Sequence, residues 1–546
     1  MADSHRVLLI SGGKWHDYAN GSKVMAEALA GAGIQTTVTE DAAAVSQLAG
    51  GSFACVLLYT QGDKFTDAQV DALVRFVRGG GGLVGVHSAS DTNKKSDAFT
   101  KLIGSTFKGH GPVMGFDVSV TDGEHPIAHR VQKFRITDEL YLLEPKSDFQ
   151  TFLTAYWDTK PQPMGYTRCE GKGRVVYLAN GHSPEALSQP TWLTVLTRSV
   201  RWAAGEDWGK KTVKVGVIGY GGAFNMGKLH AESCRKARMI PVAVCDLDPA
   251  RTATARQELG EQVSTFQKVD EMLAGSDAEM CIVITPHNTH AALSIQCLEA
   301  GRHVVTEKPY TITVEEATRV IETARRMRKM ATVFHNRRWD GDFMTIRNIV
   351  RSGMIGDVFA IECFFGGYGE PRQWWRSSKE ISGGAFYDWG AHFCDWVLQL
   401  MPHKIESISG SFHKRHWHAV SNEDHTEAFV RFEGGRTAHL QQSSLAAIGK
   451  ARWRILGTLG GIEKMTGGDK EPIKVVSFRE GFRQEMTVPC LASDWDGFYR
   501  NVADHLILGE PLAVTPESAR KVIAVLSLAE QSSKQGGVPL PLPFDQ

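Results

Sequence analysis

From residue 7 to about residue 204, short apolar runs alternate with amphipathic stretches. The runs at 7–10, 34–39, 54–59, 83–86, 152–156 and 175–178 have strand length and strand composition, whereas 22–32 and 67–77 carry apolar residues at helical spacing. Such alternation predicts a parallel sheet wound on both faces. Residues 192–204 predict a closing helix, and the polar, glycine-flanked segment 205–211 predicts a linker. A second strand–helix series starts at Thr212 and runs to about Phe334. The pattern then changes to long β-rich stretches at 358–365, 405–413, 427–432, 437–443 and 452–457, with few helices between them. Antiparallel strands with one face left for substrate or for another copy explain that change. A helix at 516–533 precedes the proline-rich tail 538–543.

A chain of 546 residues exceeds one core. The pattern divides it into domains at 1–207, 212–335 and 336–546. The expected fold classes are an α/β domain, a Rossmann α/β domain, and an α+β domain with an open, mostly antiparallel sheet.

Composition changes the picture mainly by exclusion. Lys plus Arg and Asp plus Glu both count 61, so no bulk field draws the chain to nucleic acid or to an anionic membrane. No window approaches 18 apolar residues, and the start lacks the features of a signal peptide, so a cytoplasmic protein is expected. The nine cysteines are scattered without a CxxC pair, which predicts buried reduced thiols rather than a disulfide or zinc framework.

The second series opens with Val215-Gly-Val-Ile-Gly219-Tyr-Gly221-Gly222, an apolar strand breaking into glycines. Such a turn lets helix N–H groups approach a pyrophosphate. The third fingerprint position is irregular, because Phe224 stands where Gly or Ala is expected. Asp246 ends the next apolar run, where a carboxylate accepts from both ribose hydroxyls and repels a 2′-phosphate. NAD is therefore the expected cofactor, with NADP less favoured, although Arg251 lies nearby. Lys308, in Glu307-Lys308-Pro309, is held on a stiff turn after the strand 303–306, where it can stabilise a developing alkoxide. Asp388 and His392 are four apart in a helix-compatible segment and share a face. The imidazole suits removal of a hydroxyl proton, with the carboxylate orienting it and Asp395 one turn further on. Trp374, Trp375 and Arg376 suit stacking on a sugar ring or a subunit contact.

The glycine turn, the EKP segment and Asp388-Trp-Gly-Ala-His392, in this order and spacing, resemble the Gfo/Idh/MocA family of NAD(P)-dependent sugar and cyclitol oxidoreductases. That resemblance implies that Pro286, Asn288 and His290 line the nicotinamide side, with Glu307 beside it and Arg337 at the cofactor or in a structural salt bridge. Residues 5–205 resemble the ThuA-like (trehalose-utilisation) family, relatives of class I amidotransferases with an amidotransferase-like (flavodoxin-like) fold. Four motifs carry this, at 76–90, 109–112, 138–141 and 173–182. The glutaminase cysteine is absent, since the elbow reads Val86-His87-Ser88, and Ser88 lacks a Gly-x-Ser-x-Gly setting. His16, Asp17, His87, His110, Glu139 and His182 are expected to converge at the sheet edge, where they resemble either an acid–base set or a metal site. Their long separations, without HxxxH or HExxH, argue against a metal centre, so no metal is expected. A catalytically silent regulatory domain stays open beside an active one.

Together these readings predict NAD-dependent oxidation of a secondary hydroxyl on a sugar, glycoside or cyclitol. The amino-terminal domain would process the keto-sugar, and the carboxyl-terminal sheet would mediate homo-oligomerisation. The alternatives are an NAD-using glycoside hydrolase with transient oxidation and a non-catalytic nucleotide or sugar sensor.

Overall fold

A computed structural model describes residues 6–123, 125–206, 208, 211–221 and 225–544. The chain forms two compact units, one of residues 1–211 with 507–510, the other of 212–506 with 511–546.

Among the described residues the first unit holds eleven strands: β1 (Arg6–Gly12), β2 (Gln35–Thr39), β3 (Cys55–Thr60), β4 (Gly82–Val86), β5 (Ser105–His110), β6 (Met114–Val120), β7 (Phe134–Asp138), β8 (Tyr141–Pro145), β9 (Gln150–Trp157), β10 (Lys160–Glu170) and β11 (Gly173–Leu178). Nine of them make one sheet in the order β2-β1-β3-β4-β11-β10-β9-β6-β7, and β5 pairs with β8 apart from it. The first five strands of that order run parallel and the rest antiparallel. Every residue of β3 and β4 is buried, as strands covered on both faces must be. The helix Pro190–Ala203 closes over β4 so tightly that a Cβ at Gly82 would stand 2.5 Å from the Ala203 backbone. The segment 152–156, expected in the parallel sheet, lies instead in antiparallel β9. Strands β6 and β7 bury only alternate positions, so their sequences lack the continuous apolar runs that mark the parallel half.

In the second unit, β12 (Val213–Ile218), β13 (Met239–Cys245), β14 (Ser264–Phe266), β15 (Met280–Val283), β16 (His303–Thr306) and β17 (Ala331–Val333) form an all-parallel sheet ordered β14-β13-β12-β15-β16-β17. Counted from its own first strand, this is the 3-2-1-4-5-6 order of dinucleotide-binding sheets, whose switch point lies between β12 and β15. Eight further strands follow: β18 (Val358–Gly366), β19 (Ile405–His413), β20 (His425–Phe432), β21 (Arg436–Ser443), β22 (Trp453–Gly457), β23 (Gly460–Lys464), β24 (Ile473–Arg479) and β25 (Phe482–Val488). They make a mixed sheet, β19-β20-β21-β18-β22-β23-β24-β25, in which β18 and β21 are the parallel pair. The helices Phe386–Leu400 and Pro516–Lys534 pack on β21 and on β19–β20 and meet each other. Among the described residues no helix is long and apolar enough to cross a membrane. All nine cysteines are free, and seven of them are buried.

Candidate functional sites

At the carboxyl edge of the parallel sheet in the second unit, Gly219 takes φ +91°, and a Cβ there would stand 2.4 Å from the Ile284 carbonyl. Only glycine allows the turn to lie so close to the neighbouring strand end. A Cβ on Gly221 would fall 2.2 Å from an Arg251 nitrogen, so the arginine lies directly over the turn. Asp246 fastens the same turn from the other side: Oδ2 accepts from the Tyr220 N–H at 2.7 Å and Oδ1 from the Asp248 N–H at 3.0 Å. Gly222 and Phe224 lie outside the described residues.

A cavity of about 650 Å³ starts at this turn. Its lining includes Gly219, Gly221, Asp246 and Arg251, then Pro286, Asn288 and His290, and also Glu307, Lys308, Trp374, Trp375 and Arg376. A cavity of about 500 Å³ shares His287, Trp374 and Arg376 with it and is lined further by Asp388, Glu423 and Gln442. Most of the cofactor and substrate candidates thus meet at these cavities, but His392 lines neither of them, and two others differ from expectation. Arg337 is not among the residues lining either cavity. It donates to Asp340 at 2.9 Å and lies 4.7 Å and 5.6 Å above the rings of Trp389 and Trp495, which hold it in a structural clamp. His290 reaches the cavity, but its ring nitrogens face the Pro309 and Thr285 carbonyls at 2.8 and 2.9 Å, so it fastens the strand-end loops.

Lys308 Nζ meets Asp388 Oδ1, which also lies 3.4 Å from Arg376 Nη1. Burial would raise the Asp388 carboxyl, but the Lys308 and Arg376 cations override it and hold it down to about 2. His392, 4% exposed, sits against Trp389 and Trp396 with Nδ1 buried and unpartnered. The carboxylate expected to orient this histidine is engaged with the lysine instead. Burial, then the Lys308 and Arg337 charges, push the His392 imidazole well below its ordinary range, so it is neutral and able to accept a proton. Burial also raises Glu307, but His230, 3.1 Å from Oε1, holds that carboxyl low. Asp395 forms a buried two-point pair with Arg338 at 2.8 and 2.5 Å.

His287 lines both cavities and was not singled out by sequence. Its Nδ1 donates to the Ser382 carbonyl at 2.9 Å, and burial, then His290, lower it to about 3. Its place in Thr285-Pro-His287-Asn-Thr-His290 was the available signal, masked by the more polar neighbours.

In the first unit the expected residues also gather at a sheet edge. Glu139 Oε2 lies 3.6 Å from His87 Nε2 and 3.1 Å from His182 Nδ1, and Oε1 lies 3.5 Å from His110 Nδ1. The His16 ring centre is 4.9 Å from that of His87 and 5.1 Å from that of His182. Burial and the His87 and His182 imidazoles lower His16 to about 3. Asp17 stands apart, capping the helix Tyr18–Gly31 through the Asn20 N–H.

Comparison with known proteins follows the same division. Residues 6–203 match the ThuA family, described as trehalose utilisation. Residues 213–335 match the GFO/IDH/MocA oxidoreductase family with NAD-binding Rossmann fold, and residues 343–463 the GFO/IDH/MocA C-terminal domain. The chain is 25% identical over 355 residues to the scyllo-inositol 2-dehydrogenase (NADP(+)) IolW of Bacillus subtilis, covering 59% of this chain and 94% of that protein. It is 24% identical over 336 residues to the myo-inositol 2-dehydrogenase of Thermotoga maritima, covering 59% and 97%. The crystal structure of an NAD-binding protein from Listeria innocua superposes with a TM-score of 0.54 at 26% identity, covering 61% of this chain and 98% of that one.

Proposed function

The chain joins a ThuA domain to an NAD(P)-dependent dehydrogenase unit of the Gfo/Idh/MocA family, and from that premise we propose that it oxidises a secondary hydroxyl of a sugar, glycoside or cyclitol with NAD. The observation that carries this reading is the continuity of the cavity from the glycine turn to Lys308, beside a second cavity that reaches the lysine's partner Asp388. The inositol dehydrogenases among its relatives support the same substrate class.

The residues present fit a dinucleotide. Gly219 and Gly221 leave a cradle that side chains would fill, and Asp246 and Arg251 flank it. Bound NAD supplies a hydride acceptor. The chain's own groups do the rest. The neutral His392 imidazole takes the hydroxyl proton, Lys308 donates to the same oxygen and stabilises its growing negative charge, and Asp388 holds Lys308 in place. Trp374 and Trp375 present faces for a sugar's C–H surface. NAD is favoured over NADP because of the Asp246 carboxylate, against the pull of Arg251. We read 212–335 as the cofactor domain and 336–546 as the substrate domain. Its sheet carries exposed Phe359, Phe429, Phe478 and Phe482, which support homo-oligomer contacts.

The first unit, with its 2-1-3-4-5 order of parallel strands, is read as flavodoxin-like and as acting on the keto-sugar that the second unit releases. The test follows NADH formation and product structure, by NMR and mass spectrometry, for the full chain with a panel of cyclitols and glycosides. A panel-wide absence of NADH formation would reject the dehydrogenase reading. A first-step keto product that accumulates unchanged would reject the second activity.

A further inference from the structure

The geometry points to a site for a divalent transition-metal ion of the zinc class, held by His16, His87, Glu139 and His182 in the first unit. The proposal rests on this cluster alone and not on the keto-sugar reading. One ligand atom from each of the four residues can be chosen so that all lie within 4.8 Å of one another. His16, His87 and His182 follow β1, β4 and β11, all parallel strands, and Glu139 directly follows β7. The sheet therefore brings together at one edge what the sequence keeps far apart, the reason spacing alone argued against a metal.

Three hydrogen-bond arrangements prepare the donors. His87 Nδ1 lies 2.7 Å from the Ala179 carbonyl, so it carries the proton and leaves the Nε2 lone pair facing inward. The Tyr18 hydroxyl donates to Ser88 Oγ and so accepts from His16 Nδ1 at 3.0 Å, leaving His16 Nε2 free. The buried Asp138 carboxylate accepts from the N–H groups of Glu139, Gly181 and His182 at 2.9, 2.8 and 3.1 Å, which fixes two ligand-bearing segments with one side chain. Supporting bonds of this kind orient metal ligands.

The decisive observation is independent of that scaffold. His87 is fully buried, and its Nε2 has no hydrogen-bond partner although Glu139 Oε2 stands 3.6 Å away. His182 Nδ1 is likewise buried without a well-directed hydrogen bond. Lone pairs turned toward a carboxylate inside a protein are costly unless a cation lies between them. Tetrahedral ligands at zinc bond lengths are about 3.4 Å apart, and the separations of Glu139 Oε2 from His87 Nε2 and His182 Nδ1, 3.6 and 3.1 Å, bracket that value. Three imidazoles with one carboxylate suit zinc, cobalt or nickel rather than the oxygen-seeking magnesium or calcium.

The test uses the full chain, stripped with chelator and returned to metal-free buffer. Titration with Zn²⁺ by calorimetry and with Co²⁺ by visible absorption should give one ion per chain, and the Co²⁺ bands should have low-symmetry, tetrahedral intensity. Zn²⁺ should also raise the melting temperature. His16→Gln and His182→Gln, at half-buried positions, and Glu139→Gln should each weaken binding by more than the about 10–100-fold that loss of a supporting residue costs, with far-UV dichroism unchanged. Failure of the stripped wild-type chain to bind either ion stoichiometrically would overturn the proposal. So would wild-type affinity in folded His16→Gln and His182→Gln.

Discussion

The Lys308 ammonium is anchored twice by one residue, at 2.7 Å to Asp388 Oδ1 and at 3.3 Å to the Asp388 backbone carbonyl. A lysine so held presents its remaining N–H to the cavity in a fixed direction, which is what stabilisation of a developing alkoxide requires. Lys308→Ala is expected to lower turnover by about 10²-fold or more while leaving NAD affinity intact, measured by steady-state kinetics and calorimetry. Asp388→Asn keeps an acceptor but not the charge and should cost less. Turnover at the wild-type level in Lys308→Ala would place the chemistry elsewhere.

The pH profile should report His392. Its imidazole is pushed below the ordinary range, so the proton-accepting neutral form persists as pH falls. The acid limb of kcat/KM for hydroxyl oxidation is therefore expected to lie well below about 6.5, the unperturbed value. Asp388 stays ionised until about pH 2 and does not contribute to that limb. An acid midpoint at or above the unperturbed value would contradict the assignment.

On the proposed reading, Asp246 and Arg251 decide the cofactor. Asp246→Ser should weaken NAD binding and narrow the preference over NADP, and Arg251→Ala should weaken NADP more than NAD. Competitive titration of the two cofactors reads both effects. Equal affinity of the unmutated chain for NAD and NADP would remove Asp246 from the discrimination.

Asp395 and Arg338 are 3% and 5% exposed at the side chain, so removing the carboxylate leaves a buried, uncompensated guanidinium. Asp395→Ala is expected to cost about 3–5 kcal/mol, read as a lower denaturant midpoint for the second unit. A change within the error of the midpoint would mean that water or the Ala513 carbonyl compensates fully.

What could be read from sequence follows from where each residue's neighbours come from. Gly219, Asp246 and Lys308 stand at the ends of apolar strands, so the strand signal itself located them on the ligand edge. Arg337 also follows a strand, but Trp389 and Trp495, which capture it, arrive from much later in the chain. Asp388 and His392 share a helical face as their spacing requires, yet which of them meets the lysine depended on the loop carrying Lys308. Strand β25 is not legible in the sequence because it is exposed along most of its length and shows no apolar alternation. In the first unit, β6 and β7 bury only alternate positions and so lack the continuous apolar runs of the parallel half, while the cluster around Glu139 was legible as residues but not as distances.

The helix Pro516–Lys534, near the end of the chain, packs against the helix Val314–Met327, β17, β19 and β20, and the Val514 carbonyl accepts from Thr332 at 2.6 Å. Both sheets of the second unit thus await a segment that is synthesised after every one of their strands. Until it emerges, the nascent unit exposes the apolar surfaces that Val522, Ile523, Val525 and Leu526 will cover. The finished chain has this interval of exposure built into its order of synthesis, and a chaperone that shields apolar surface would have its longest opportunity there.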